Sequence, residues 1–286
     1  MQIAHSIEDL RRFLKTAKQR TFVPTMGNLH AGHLELVKVA KQTLPEATCV
    51  ASIFVNRLQF APHEDFDSYP RTFAKDCELL EAQGCDVVFA PQEKDLYPEP
   101  QVFKVHPPAE LADILEGAFR PGFFIGVSTV VHKLFNCVQP DVAVFGKKDY
   151  QQLMVIKRMA QQMALPIHIV GVDTLRADDG LALSSRNGYL SAEERARAVE
   201  LSGTLKHMVT SVRDKRSNLS GDATKVVAQI EDHAMQTLRY KGWQPDYMTV
   251  RHQHDLSTVT QFSDLPLVVL GAARLGSTRL IDNLEI

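Results

Sequence analysis

Tryptophan and cysteine are scarce in this chain: one Trp (Trp243) and four Cys (Cys49, Cys77, Cys85 and Cys137) among 286 residues. The cysteines lie far apart with no C-x-x-C pair, which excludes a zinc signature and a disulfide framework and reads as buried thiols of a reducing compartment. Neither sign of charge is in excess, since 32 basic against 34 acidic residues leave a net charge of -2. Without a basic excess or a basic–aromatic stripe, the chain lacks the electrostatic footprint of a nucleic-acid binder. No apolar run approaches the roughly 20 residues of a membrane span. Residues 1–9 show neither the basic n-region nor the apolar h-region of a secretory leader, so a cytoplasmic location without a membrane partner is expected. A G-x-G-x-x-G loop is missing too, which removes the usual dinucleotide-binding fingerprint. No internal repeat or low-complexity tract is visible.

What is present is a strand–helix rhythm. Apolar residues make up 44% of the chain, ample for a core and incompatible with disorder, and the length suits two domains. Ser6 caps a predicted helix over 6–16, with Asp9 in the capping-box position. Strands are predicted at 21–24, 49–55, 86–89, 142–145 and 167–172, each a short apolar or β-branched run. Helices are predicted at 32–42, with Leu34, Val37 and Ala40 on one face, at 73–83, stopped by Gly84, and at 127–138 and 150–163. Such alternation predicts an α/β unit, a parallel sheet wrapped by helices. After Leu183 the rhythm changes. Two long polar helices, 192–214 and 222–240, flank the loop 215–221, and strand-like runs follow at 246–252, 267–272 and 278–282. Helices first and strands after predict a separate, smaller α+β domain. The boundary is expected within 173–180, dividing the chain into 1–174 and 175–286.

The first of these strands runs into Pro24-Thr25-Met26-Gly27-Asn28-Leu29-His30-Ala31-Gly32-His33. A loop leaving a parallel strand sits at the carboxyl edge of the sheet, where ligands bind. Backbone N–H groups at the start of the next helix favour an anion. Gly27 and Gly32 let a phosphate or an adenine approach the backbone. His30 and His33 share one helical face, and two imidazoles can donate to phosphate oxygens as charge builds on a leaving pyrophosphate. The bland alternative is a pair of helix-capping histidines beside a packing glycine. Zinc is disfavoured, because no third ligand stands at metal spacing.

Other candidates carry similar pairs of readings. Lys148 follows a strand end and either places an ammonium on phosphates or is a solvated surface lysine. Ser184, Ser185 and Arg186 form a donor cluster suited to a triphosphate, or a polar turn with an N-capping serine. Gln59 and Gln152 are neutral amides suited to hydroxyls and a carboxylate, or surface decoration. Asn56 is similar, with a turn role as its alternative. His63, His106, His132 and His168 have no motif around them and read as ordinary surface or core residues. Trp243 reads as a packing anchor of the second domain.

The H-x-G-H element resembles the signature of nucleotidyltransferases that act on the α-phosphate of ATP. Further segments are similar to one family of that superfamily, the pantoate–β-alanine ligases. They are Phe54-Val55-Asn56-Arg57-Leu58-Gln59-Phe60, Tyr69-Pro70-Arg71-Thr72, Arg120-Pro121-Gly122-Phe123-Phe124-Ile125-Gly126-Val127, Phe145-Gly146-Lys147-Lys148-Asp149-Tyr150-Gln151-Gln152-Leu153 and Asp179-Gly180-Leu181-Ala182-Leu183-Ser184-Ser185-Arg186-Asn187. The tail Arg279-Leu280-Ile281-Asp282-Asn283 matches as well, so the resemblance spans nearly the whole chain.

The resemblance implies a Rossmann-like, doubly wound N-terminal domain and an ATP-dependent ligation of pantoate to β-alanine through an acyl-adenylate, releasing pyrophosphate and then AMP. It implies that Met26, Gly27, Asn28, Leu29, His30, Ala31, Gly32 and His33 contact ATP, with His33 donating a proton and His30, Lys148 and Arg186 completing the catalytic set. Gly146, Lys147, Lys148, Asp149, Leu175, Leu183, Ser184, Ser185 and Arg186 would complete the nucleotide site. Gln59 would touch pantoate and β-alanine, and Gln152 pantoate, with Asn56 beside them. Mg²⁺ is expected with ATP, held mainly by phosphates and water rather than by a protein cage, with Asp149 as an outer-shell partner. A homodimer is implied. The C-terminal helices are a lid that keeps water from the adenylate, or plain scaffold.

Four residues depart from the family pattern: Ala31 for an acid, Arg57 for a proline, Phe123 for a histidine and Lys147 for a glutamate. Together they raise the local charge by about 4 units. A more electropositive, salt-sensitive nucleotide site is the expectation, with a pantoate pocket loosened at Arg57. Two rivals stand beside the ligase. Another nucleotidyltransferase would keep the histidine loop but lack Gln59 and Gln152. A non-catalytic paralogue would be expected to lose a phosphate-contacting residue, and His30, His33, Lys148 and Arg186 are all present.

Overall fold

Strands that are apolar almost without interruption must be covered on both faces, and in the computed structural model they are. It describes residues 1–61, 64, 66–218 and 222–286; His63 and the end of the loop 215–221 lie outside the described residues. The chain divides into two units, residues 1–147 with 151–175, and residues 148–150 with 176–286.

In the first unit, β1 (Gln2–Ala4), β2 (Arg20–Thr25), β3 (Thr48–Ile53), β4 (Val87–Phe89), β5 (Val142–Gly146) and β6 (His168–Val172) form one sheet in the order β1-β4-β3-β2-β5-β6. Every neighbouring pair is parallel. Val23, Ala51, Val88 and Val144 pack on one face against Leu36, Val37 and Ala40 of the helix Ala31–Thr43 and Leu80 of the helix Phe73–Ala82. Elsewhere in this unit Phe22 meets Phe135 of the helix Phe123–Val138 edge to face, with ring centroids 6.3 Å apart. From β2 the chain winds outward through β3 and β4, then returns to place β5 and β6 on the other side of β2. The switch point of this doubly wound sheet therefore lies between β2 and β5, and the loops leaving those two strands flank the crevice where such sheets bind ligands.

In the second unit, β7 (Gln244–His252), β8 (Leu267–Leu275) and β9 (Thr278–Glu285) form an antiparallel sheet in that order. The helices Val199–Asn218 and Thr224–Tyr240 bury Leu201, Leu205, Met208 and Leu238 in a core that includes Val250 and Val269. Trp243 is 2% exposed and donates its indole N–H to Glu200 Oε2 at 2.7 Å, the anchor role expected of it.

Several sequence expectations are corrected. Ser6 does cap the first helix, its Oγ accepting from the Asp9 N–H at 3.0 Å, but the helix ends at Phe13 rather than 16. Leu36, not Leu34, is buried on the helix Ala31–Thr43. The helix expected at 127–138 starts four residues earlier, behind Gly122 at φ +82°. The helix expected at 192–214 is two, Ala192–Arg197 and Val199–Asn218. Among the described residues no helix is long and apolar enough to cross a membrane.

Candidate active site

The loop after β2 is built around a buried acid that sequence reasoning missed. Gly27 and Asn28 turn through the left-handed region, at φ +82° and +51°, a conformation natural to Gly and tolerated by Asn. A Cβ on Gly27 would sit 3.0 Å from Asp76 Oδ2 and 3.1 Å from Ile53 Cγ2. Asp76, 1% exposed, accepts the N–H of Asn28 at 2.9 Å and of Leu29 at 2.8 Å, and the Thr72 hydroxyl at 3.1 Å. Two of the loop's backbone amides are thus held by an acid of the chain itself. The only sequence signal was an acid four residues after Thr72, at the start of the Phe73–Ala82 helix.

The two histidines form the helix cap of the structural alternative. His30 is the N-cap of the helix Ala31–Thr43, its Nδ1 accepting the Gly32 N–H at 3.1 Å, while His33 Nδ1 accepts the His30 N–H at 3.3 Å. The imidazoles lie 4.1 Å apart between centroids. A neutral imidazole whose Nδ1 accepts must carry its proton on Nε2. The caps therefore set both rings in the tautomer that presents an Nε2–H donor. Ala31, the first helical residue, is exposed.

Beyond β3 the chain turns through Arg57–Gln59. Asn56 is 1% exposed, and its amide donates to Gln59 Oε1 at 3.1 Å and Gly126 O at 3.2 Å and accepts from the Tyr97 hydroxyl at 3.0 Å. Burial raises the Tyr97 pKa, keeping that hydroxyl a donor. Asn56 was expected beside the substrate; its buried amide instead fixes Gln59. Gln59 in turn points Nε2 at the Met26 sulfur, 3.0 Å away, a weak acceptor. Close approach here depends on Gly126, where a Cβ would fall 2.2 Å from Leu58 O.

Arg120 braces the same turn. It grips Glu64 with two bonds of 2.6 and 2.7 Å, donates to Gln59 O at 3.1 Å and stacks 3.7 Å over the Phe123 ring. Phe123, the departure from histidine, thus replaces a donor with a stacking face. A cavity of about 300 Å³ opens against Gln59, Lys104, His106, Arg120 and Phe123, so His106, read as an ordinary residue, lines it.

Arg57, the departure from proline, stands in a backbone that a proline would also fit. Asn56 before it is extended, at φ -87° and ψ 109°, a conformation that a following proline requires. The guanidinium lies 3.9 Å over the Phe66 ring and 3.5 Å from Glu93 Oε1. Proline here would stabilise by about 0.4–1 kcal/mol through the unfolded chain, and the lost stacking contact is worth about 0.5–1 kcal/mol at an exposed site. The terms cancel. Arg57→Pro is therefore expected to leave the melting temperature nearly unchanged and the KM for pantoate within about twofold of the parent; a several-fold fall in that KM would support the loosened-pocket view.

Lys147, the other cationic departure, pairs with Asp173 at 2.7 Å. Two of the added charges thus have acidic partners, which offsets much of the salt sensitivity expected of this site. Gly146 ends β5, and Asp149 is exposed. In the following helix Gln151 is 3% exposed and satisfied by the Glu116 N–H and by Leu111 O and Ile114 O. The Gln152 side chain, half-buried, makes no hydrogen bond among the described residues. Leu175, the last residue of the first unit, is 39% exposed.

The second unit collects the remaining candidates. Ser184 caps the short turn Ser185–Tyr189, its Oγ accepting the Arg186 N–H at 3.3 Å, as the polar-turn alternative requires. Lys148, Ser184, Arg186 and Asn187 line a cavity of about 20 Å³ in this unit. Leu183, Ser185 and Arg186 are all half-buried.

The family model described as pantoate-beta-alanine ligase matches residues 2–285. Pantothenate synthetases of Leptothrix cholodnii and Verminephrobacter eiseniae are each 59% identical, over the full length of both chains. The crystal structure of pantothenate synthetase from Thermus thermophilus superposes with a TM-score of 0.88 at 40% identity, covering 99% of each chain. That of the Francisella tularensis ligase, complexed with beta-gamma ATP and beta-alanine, does so at 0.77 and 31%, covering 99% of this chain and 97% of that one. With its doubly wound sheet, its paired histidines at the switch point and a family match from end to end, this chain belongs to the pantoate–β-alanine ligase family.

Proposed function

We propose that the chain joins pantoate to β-alanine in two steps at the expense of ATP. In the first, a pantoate carboxylate oxygen attacks the α-phosphorus, the bond to the bridging oxygen breaks, and pyrophosphate leaves. Charge accumulates on the departing phosphates, and the Nε2–H groups of His30 and His33 stabilise it as hydrogen-bond donors, the protons staying on nitrogen. Lys148 and Arg186, with Ser184 and Ser185, supply cationic and neutral donors to the phosphates. In the second step the β-alanine amine attacks the acyl carbon, AMP leaves, and the ammonium proton passes to solvent. Gln59, held by Asn56, and Gln152 orient pantoate's oxygens without adding charge. The observation that carries this reading is the Nδ1 capping of both histidines, which leaves the donor proton on Nε2 at the ligand-binding edge of the sheet.

Mg²⁺ accompanies ATP in this reading. A magnesium ion held through phosphates and water needs few protein ligands, which fits the lone exposed carboxylate of Asp149 in the Lys147–Asp149 turn. A cytoplasmic location agrees with four cysteines, none in a disulfide. A homodimer is supported by Val102 and Phe103, apolar side chains 77% and 88% exposed in one extended segment; sedimentation as a monomer at micromolar concentration would argue against it. The function itself is tested by incubating the enzyme with pantoate, β-alanine and ATP. One AMP and one pyrophosphate per pantothenate are expected, and formation of ADP and phosphate instead would overturn it.

A further inference from the structure

The C-terminal strand holds the segment on which Lys148 rides. Residues 148–150 group with 176–286, although the residues on either side of them group with the first unit. Two hydrogen bonds tie them to β9. Asn283 Nδ2 donates to Lys148 O at 2.9 Å, and the Tyr150 hydroxyl donates to Glu285 Oε1 at 3.0 Å. Asn283 and Tyr150 are each 5% exposed. Asn283 lies on β9, registered opposite Leu270 in the ladder with β8, so its backbone has little freedom. The preceding residue, Asp282, is also 5% exposed and grips Arg176 with two bonds of 2.8 Å. Arg176 then donates to Gly180 O at 3.1 Å and bridges Ala182, fixing the loop that leads to Ser184. Two neighbouring side chains of one strand therefore position two elements: Asn283 the lysine segment, Asp282 the Ser184–Arg186 cluster.

We propose that Asn283 is a positioning residue for Lys148: by holding the Lys148 carbonyl to β9, it sets where the lysine ammonium stands relative to the Ser184–Arg186 donors. A carbonyl needs a donor, and an Asn amide supplies one where an Asp or Ala would not. Misplacing a catalytic group by about 1 Å costs up to about 10²-fold in rate. The proposal rests on the reading of Lys148 as a phosphate ligand, and the experiment separates the two.

Pantoate-dependent ATP–pyrophosphate exchange is measured for the full-length enzyme and for Asn283→Ala, Lys148→Ala and the double variant. Asn283→Ala is expected to lower the exchange rate by about 10- to 100-fold with the KM for pantoate unchanged, and to have no further effect in the Lys148→Ala background. Full exchange in Lys148→Ala would refute the lysine reading itself. An impaired Lys148→Ala with an unimpaired Asn283→Ala, or with equal Asn283→Ala losses in both backgrounds, would overturn the positioning role. Should Asn283→Ala fail to fold, Tyr150→Phe removes the second tether with little change in packing. A loss present in the parent and absent beside Lys148→Ala is again expected, and equal losses in both would overturn the proposal.

Discussion

Replacing His33 by Asn is expected to lower pantoate-dependent ATP–pyrophosphate exchange by about 10²- to 10³-fold, the usual cost of one transition-state donor, while leaving thermal stability nearly intact. The separation of the two effects follows from the geometry. His33 uses its two ring nitrogens for different tasks: Nδ1 accepts the His30 N–H at 3.3 Å and closes the helix cap, and Nε2 carries the proton. The Asn Oδ1 falls near the position of Nδ1 and preserves the cap, whereas nothing replaces Nε2–H. His33→Ala loses both and should be destabilised as well, by about 0.5–2 kcal/mol, the cost of a lost capping acceptor. Exchange rates and melting curves of the two variants check this. Substantial exchange in His33→Asn would mean that Nε2 is not the donor.

Asp76→Ala is expected to have the largest effect on stability of any change near the site. The carboxylate, 1% exposed, accepts two backbone N–H groups and the Thr72 hydroxyl. Hydrogen bonds to a charged acceptor are worth about 1.5–3 kcal/mol each, and donors left buried without one cost about 1–3 kcal/mol. A loss of about 3–5 kcal/mol is expected in urea denaturation, large for a single substitution. The same acid holds Asn28 and Leu29, and so the approach to His30, so exchange should fall by at least about 10²-fold even well below the melting temperature. Asp76→Asn keeps one acceptor but turns an amide donor toward N–H groups, and should lose about half as much stability. A parental denaturation midpoint for Asp76→Ala would show that the loop is held by something else.

The legible parts of this molecule were those written locally. Runs such as Cys49–Ala51 announce a strand buried on both faces, and Ser6 with Asp9 announces a helix start. β1 was not foreseen: it has three residues, and its partner begins at Val87. The break at Ala198 left no mark, because the apolar spacing continues across it. At the site, His30 and His33 stood out by type and spacing, whereas Gln59 was raised only by the resemblance, which gave all three their roles. Asp76 did not stand out, since an acid in the first turn of a helix looks like a solvated one. Asn283 could not be linked to Lys148 at a separation of 135 residues. Arg57 and Lys147 were read as added charge, while Glu93 and Asp173, which pair with them, are distant in sequence from the motifs. What sequence withholds, then, is chiefly which long-range partner fixes each functional group.

In the proposed mechanism pantoate is activated as an acyl-adenylate before β-alanine takes part. Exchange of labelled pyrophosphate into ATP, with pantoate present and β-alanine absent, tests it most directly. Exchange that requires pantoate and needs no amine is expected. No exchange under those conditions, in an enzyme that still makes pantothenate when β-alanine is added, would contradict it.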